Sequence, residues 1–296
     1  MAPNKWERAM DGRIASQASE TTTGILNYVT RDSPVNRRFV FPGGEVNTGR
    51  FEPHRMTIRN ARLASPQPTL DTHGFQLFAH QSAIKNFRDR AEIDAVYPQE
   101  VVDTVKALTG ADLVVPLGYL LRASDGDETN KFQPPAADVH VDMSQEWAPR
   151  NARLVLEQNG MAGQTFRRFV CSSFWRAFST PPQDWPLALC DGNSISQEEG
   201  ARNRLIFADA RPAEAEMTGP VPNEEELPAA TIFYHGPGQR WFYFPDMSRD
   251  EVVLLKFHDS DHSRAWFTAH TAFHDEARAG TVTRESIEFR TYAYWL

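Results

Sequence analysis

Two cysteines in 296 residues, Cys171 and Cys190, are too few and too far apart for a disulfide framework, a thiolate zinc site or a redox pair. Both stand among apolar neighbours and are read as buried, reduced thiols. The chain also lacks any run of the ~18 apolar residues that a membrane-spanning helix needs, and Met1–Thr23 is polar with no apolar stretch of signal-peptide type. No membrane association and a cytoplasmic location are therefore expected. Basic residues are in deficit. With 31 Lys and Arg against 39 Asp and Glu the net charge is −8, and no basic cluster offsets it, so a nucleic acid partner is not expected.

What is present is apolar and aromatic mass: 41% hydrophobic and 11% aromatic residues, enough to fill one large core. Gly24–Val29 and Met56–Leu63 alternate like short strands. Between Ala83 and Leu108 apolar residues recur at helical spacing, and Pro98 divides them into two expected helices, the second ended by Gly110. Ala111–Arg122 reads as a buried strand leading to an acidic loop at Ala123–Asn130. From Ala137 onward eight strand-like runs follow, with a helix near Pro149–Gln158 and a Pro-, Glu- and Ala-rich stretch within residues 192–230 that reads as a long surface loop. The expected organisation is a single domain, 1–296, mainly β with flanking helices. Residues 1–136 form a mixed α/β part packing on a barrel or sandwich built by 137–296.

The tripeptide His140-Val141-Asp142 lies in one of these runs. On a strand, side chains at i and i+2 face the same way, so His140 and Asp142 can offer an imidazole nitrogen and a carboxylate oxygen to one ion. A distant second histidine would complete the two-His-one-carboxylate face that binds iron(II) and leaves positions open. His270, in the strand-like run AWFTAHTAF, suits that role, and the next run carries Arg284, Ser286, Glu288 and Arg290 on one face. An arginine there can hold a carboxylate through two parallel hydrogen bonds. Either arginine could enter the pocket, the other then pairing with Glu288.

In this order along the chain the sequence resembles a known family. GILNY at Gly24–Tyr28, DTHGF at Asp71–Phe75, YPQE at Tyr97–Glu100, HVD at His140–Asp142 and FWR at Phe174–Arg176 are followed by PLALCD at Pro186–Asp191, WFYF at Trp241–Phe244, EVVLLKFHDS at Glu251–Ser260, HTAF at His270–Phe273 and RESIEFR at Arg284–Arg290. Together they resemble the CmcJ/NvfI-type, gibberellin desaturase-like and AsaB-like non-haem iron(II)/2-oxoglutarate-dependent oxygenases. The resemblance implies a double-stranded β-helix (jelly-roll, cupin-like) core, iron on His140, Asp142 and His270, 2-oxoglutarate on an arginine of RESIEFR, and O2 as oxidant. It also implies a small secondary-metabolite scaffold, of the meroterpenoid or related kind, as substrate, to be hydroxylated, desaturated or converted to an endoperoxide. Ala177 stands where the family pattern has Pro, and Gln239 where a His often precedes Arg240-Trp241, a change that removes a competing ligand.

Other residues carry weaker expectations. Phe132, in the loop before the HVD strand, is expected to touch substrate, and the Trp241 block to contribute pocket lining or core. Arg122 and Arg176, charged within apolar runs, need partners: a carboxylate of substrate or cosubstrate, or an internal ion pair. His258 and His262 read as solvent-facing, and His235 is the substitute for His270 if strand order differs. A 2-oxoglutarate-independent oxygenase or isomerase on the same triad, or a binding protein of this fold, are the alternatives, and a homodimer is the assembly left open.

Overall fold

The computed structural model describes residues 19–42, 44–125, 132–275, 278 and 280–296, so most of Met1–Thr23 and of the Ala123–Asn130 loop lies outside the described residues. In chain order the elements are β1 (Thr21–Val29), β2 (Arg37–Phe41), β3 (Gly44–Asn47), β4 (Phe51–Asn60), β5 (Phe75–Ala79), α1 (Arg90–Thr109), β6 (Leu113–Ala123), β7 (His140–Val141), α2 (Trp147–Gln158) and β8 (Arg168–Ala177). There follow β9 (Leu187–Cys190), β10 (Gly200–Phe207), α3 (Glu214–Thr218), β11 (Ala229–Phe233), β12 (Trp241–Tyr243), β13 (Glu251–Asp259), β14 (His270–Ala272) and β15 (Glu285–Trp295). The larger sheet runs β1-β4-β12-β9-β14-β7-β11-β10-β2-β3 and the smaller β5-β13-β8-β15-β6.

Alternation on the smaller sheet builds two cores. Cys171 and Trp175 of β8, Val253 and Leu255 of β13, and Tyr292 and Tyr294 of β15 face the larger sheet and meet Leu26, Ile58, Leu189 and Trp241. Val170 and Phe174, Val252 and Leu254, and Ile287 and Phe289 face the other way, against Ile93, Tyr97, Val101 and Val105 of α1. Those four helix residues recur every four positions, and their shared burial carries the helix straight through Pro98. The two helices expected there are therefore one, because packing outweighs the ~3 kcal/mol that an interior proline costs. Asp89 caps its first turn, and Gly110, at φ 68°, closes its end as expected.

Two other expectations change. Strands of residues 21–60 and 113–123 lie inside the two sheets, so residues 1–136 help build the core and do not merely pack on it. β10, just ahead of the Pro-, Glu- and Ala-rich stretch, was not expected as a strand and pairs with β11 on one side and β2 on the other. Both cysteines are buried free thiols, pushed up to about 12 by burial. No helix among the described residues is long and apolar enough to cross a membrane.

Arg176 shows how period two decides a charged residue's fate. It sits on the α1 side of β8, fully buried, with Nε donating to the Tyr97 hydroxyl at 3.1 Å, Nη1 donating to the His80 carbonyl at 3.1 Å, and a further bond to the Arg249 carbonyl. It therefore ties helix, sheet and loop together on the face away from His140 and His270, and it is not among the residues lining the cavities beside them. Arg176→Met should lower unfolding stability by about 2–3 kcal/mol, because two buried carbonyls lose a charged donor. Metal binding should be retained. Urea denaturation beside metal titration checks this; unchanged stability with lost binding would return Arg176 to the site.

Candidate metal centre

β7 and β14 are short because their task is local: residue 270 pairs directly with residue 140. Each imidazole is fixed by a carbonyl two residues earlier, His140 Nδ1 at 2.8 Å from the Asp138 oxygen and His270 Nδ1 at 3.1 Å from the Thr268 oxygen. A ring nitrogen facing a carbonyl must carry the proton, which leaves each Nε2 with its lone pair free. The ring centroids are 4.5 Å apart, and Phe257 stacks on His270 from the far side at 5.5 Å. Asp142, just past β7, brings Oδ2 to 3.7 Å from His270 Nε2. One ligand atom from each of the three residues falls within 4.8 Å of the other two, the single such group of three or more among the described residues.

The backbone leading to His270 is held close. Gly74, at φ +88°, lies where a Cβ would stand 2.4 Å from Thr268 Oγ1 and 2.7 Å from the Phe267 carbonyl. Only glycine fits there without moving the segment whose carbonyl orients the ligand.

A chain of alternating charge runs outward from the carboxylate. Arg290 Nη2 donates to Asp142 Oδ1 at 3.1 Å and to Glu288 Oε1 at 2.6 Å, and Arg122 Nε donates to Glu288 Oε2 at 3.1 Å. Burial works to raise the Asp142 carboxyl, but the charge of Arg290 beside it outweighs that and holds it well below the usual carboxylate range. Burial, reinforced by the neighbouring His140, pushes His270 down to about 4, so its ring is neutral at neutral pH. Two imidazoles whose Nε2 lone pairs are free and an ionised carboxylate are the donor set that a divalent transition metal takes.

Two cavities adjoin this group. A narrow one is lined by His140, His270, Ser173, Trp175, Phe257 and Arg284. Arg284 is 2% exposed, and its guanidinium lies 5.6 Å from the Trp175 ring with Nη1 donating to the Trp185 carbonyl at 2.9 Å. Its Nε has no hydrogen-bond partner, and it forms no ion pair with a carboxylate among the described residues. Burial and then the charge of Arg122 push it down to about 9. The hydroxyls of Ser173 and Ser286 are likewise buried and unpartnered. A wider, open pocket of about 290 Å³ touches Asp142, Arg122 and Arg290.

The expected residues thus divide. His140, Asp142, His270, Arg122, Arg284 and Arg290 converge. Phe132 does not: it is buried in the second core, edge-on to Phe178, because its side chain follows the α1 face of the sheet while the next residue, Gln133, lines the wider pocket. Trp241 is core, its Nε1 donating to the Tyr28 hydroxyl at 2.9 Å. His235 stacks on His54 at 4.0 Å, away from the triad, and His258, expected in solvent, is 2% exposed and stacked on Phe169. Sequence reasoning missed Arg38, Asn203 and Leu205 of the wider pocket, whose strands β2 and β10 went unread. Trp147, also on the pocket wall, follows the HVD motif by five residues, a signal that was there to use.

Residues 26–294 match the family described as oxidoreductase/YMDC permease-like domain. The chain belongs to that family. Among curated relatives, the hydroxylase/desaturase efuI of Hormonema carpetanum is 28% identical over 95% of this chain and 97% of its own length. The Fe(II)/2-oxoglutarate-dependent dioxygenase nvfI of Aspergillus novofumigatus is 28% identical over 86% of this chain and 87% of its own. The solved structure of the iron and alpha-ketoglutarate-dependent endoperoxidase NvfI superposes with a TM-score of 0.75 at 23% identity, covering 94% of this chain and 99% of that one. The fold is shared: mainly β, with flanking helices and the double-stranded β-helix arrangement expected.

In the metal-free protein at neutral pH, nitrogen-15 spectra should show both His140 and His270 as Nδ1–H tautomers, since each Nδ1 faces a carbonyl. An Nε2–H signal at either ring would contradict the orientation described.

Proposed function

We propose that the protein is an iron(II)- and 2-oxoglutarate-dependent oxygenase in which His140 Nε2, Asp142 and His270 Nε2 hold the iron and Arg284 receives the far carboxylate of 2-oxoglutarate. The observation that carries the proposal is the pairing of this donor set with a buried guanidinium that has no carboxylate of its own, on the wall of the narrow cavity that His140 and His270 also line. Bound iron(II) supplies the redox chemistry by which O2 decarboxylates 2-oxoglutarate to succinate and CO2 and an unactivated C–H bond of the substrate is oxidised. The protein's own residues do the rest.

Arg284 lies over Trp175 with its Nε–H unused, and Ser173, on the wall of the same cavity, adds a hydroxyl that needs a partner. An anion with several acceptor oxygens satisfies both, and removing it would leave them orphaned at a cost of about 1–3 kcal/mol each. Arg290 is already committed to Asp142 and Glu288, so its role is to fix Asp142 with Oδ1 occupied and Oδ2 turned toward the histidines. Arg122, on the walls of both cavities, anchors Glu288 and donates to the Pro134 carbonyl at 2.8 Å. The wider pocket then takes the substrate, a small secondary-metabolite scaffold, with the C–H bond to be oxidised next to Asp142.

Arg284→Lys should raise the KM for 2-oxoglutarate about tenfold or more while iron stoichiometry stays near one per chain, because an ammonium cannot reproduce the planar fork. Arg290→Lys should instead weaken iron retention. Succinate assays and anaerobic iron titration separate the two, and reversed sensitivities would move the cosubstrate to Arg290. A second test removes ligands: His140→Ala and Asp142→Ala should each abolish succinate formation with circular dichroism unchanged. Full turnover in either would sink the assignment.

A further inference from the structure

The two cavities differ in how their cations are used. Arg284 has no carboxylate partner, whereas every guanidinium on the wall of the wider pocket has one: Arg290 bonds Asp142 and Glu288, Arg122 bonds Glu288, and Arg38 reaches Asp138 at 3.2 Å. An organic anion entering the wider pocket would find no uncommitted positive charge. At Arg38 it would instead meet two carboxylates, because Glu45 stands 3.9 Å from Arg38 Nε on the other side.

Hydrogen-bonding capacity remains where charge does not. Arg38 Nε is buried with no hydrogen-bond acceptor, and Asn203, 2% exposed, has an Oδ1 without a donor. The two residues belong to neighbouring parallel strands, and Arg38 is directly opposite Leu205 in the pairing of β2 with β10. Asn203 and Leu205 share a face by period two, so the donor, the acceptor and an apolar floor lie together. Leu120, Met143 and Trp147 supply the opposing apolar wall.

We propose that this pocket takes a neutral, largely apolar molecule bearing a carbonyl oxygen that accepts from Arg38 Nε, with a hydroxyl nearby that donates to Asn203 Oδ1, and that it discriminates against carboxylic acids. The proposal rests on the oxygenase reading above and specifies the substrate class of that site. The carbonyl selects because a pocket built to hydrogen-bond one group leaves its own buried atoms unpaired when that group is missing. The carboxylate is rejected because Asp138 and Glu45 repel it across a partly buried wall.

The test uses the full chain with Mn(II) and 2-oxoglutarate and three rigid probes of similar shape: fluorene, 9-fluorenone and 9-fluorenone-2-carboxylate. Equilibrium binding should place 9-fluorenone about tenfold tighter than the other two. Arg38→Met should erase that preference and leave the fluorene Kd within about twofold, so that fluorene reports any general damage to the pocket. Arg38→Lys, which retains a cation for Asp138 and lacks the Nε–H, should erase it as well and serves if the Met variant fails to fold. Stoichiometric Mn(II) binding with no preference among the probes overturns this inference alone. Parallel loss of fluorene and 9-fluorenone in both variants does the same, by showing Arg38 to be structural. Failure of the wild-type chain to bind Mn(II) overturns the oxygenase reading itself, and this inference with it.

Discussion

Residue 270 lies directly opposite residue 140 in an antiparallel pairing of two very short strands, and the rest of the site hangs on that register. A slip of one residue would turn one imidazole to the opposite face of the sheet. The register is held from outside the pair: β9 flanks β14 through three residue pairs, and β11 flanks β7 through two, so the short strands inherit their position from their neighbours. Two backbone carbonyls then choose the tautomer of each ring, and Gly74 lets the chain approach closely enough to bring one of those carbonyls into place.

Charge is arranged with equal economy around this pair. Buried ionic groups are costly unless paired, and Asp142, Arg290, Glu288 and Arg122 form ion pairs with one another in sequence from the site outward. Against that background an unpaired buried guanidinium is informative. Arg284 keeps a hydrogen-bonding edge free on the wall of the narrow cavity, and the hydroxyl of Ser173 does the same. Such atoms mark a place shaped for a polar ligand, since a folded protein otherwise leaves few of them unsatisfied. On the proposed reading, the contrast between one uncommitted arginine and three committed ones separates the cosubstrate's side of the site from the substrate's.

Much of this was legible in the sequence. His140 and Asp142 share a face because a strand repeats every two residues, and His270 and the arginine-bearing strand follow in the order the fold requires. What was not legible has identifiable causes. β2 and β10 escaped notice because their arginines disguise the alternation: Arg37, Arg202 and Arg204 reach glutamates supplied by distant segments, Glu224, Glu225 and Glu146, which no local pattern reveals. Arg176 stayed open because period two says which residues share a face but not which face meets the site, whereas Phe132 and His258 were read as loop residues and are buried by partners distant in sequence, Phe178 and Phe169. The choice between Arg284 and Arg290, two strand positions of the same parity, depended on Glu288 and Asp142 together claiming one of them. Pro98 misled because a helix boundary was inferred where the buried stripe from Ile93 to Val105 continues unbroken.

On the proposed reading, three side chains hold one metal ion and Arg284 alone marks the cosubstrate's far end. The most direct measurement is a crystal structure of the protein with Mn(II) and 2-oxoglutarate. A metal ion bound by His140 Nε2, His270 Nε2 and one Asp142 oxygen, with a carboxylate seated bidentately on Arg284, is the expected result. Metal bound elsewhere, or the far carboxylate resting on Arg290 with its bond to Asp142 broken, would contradict it.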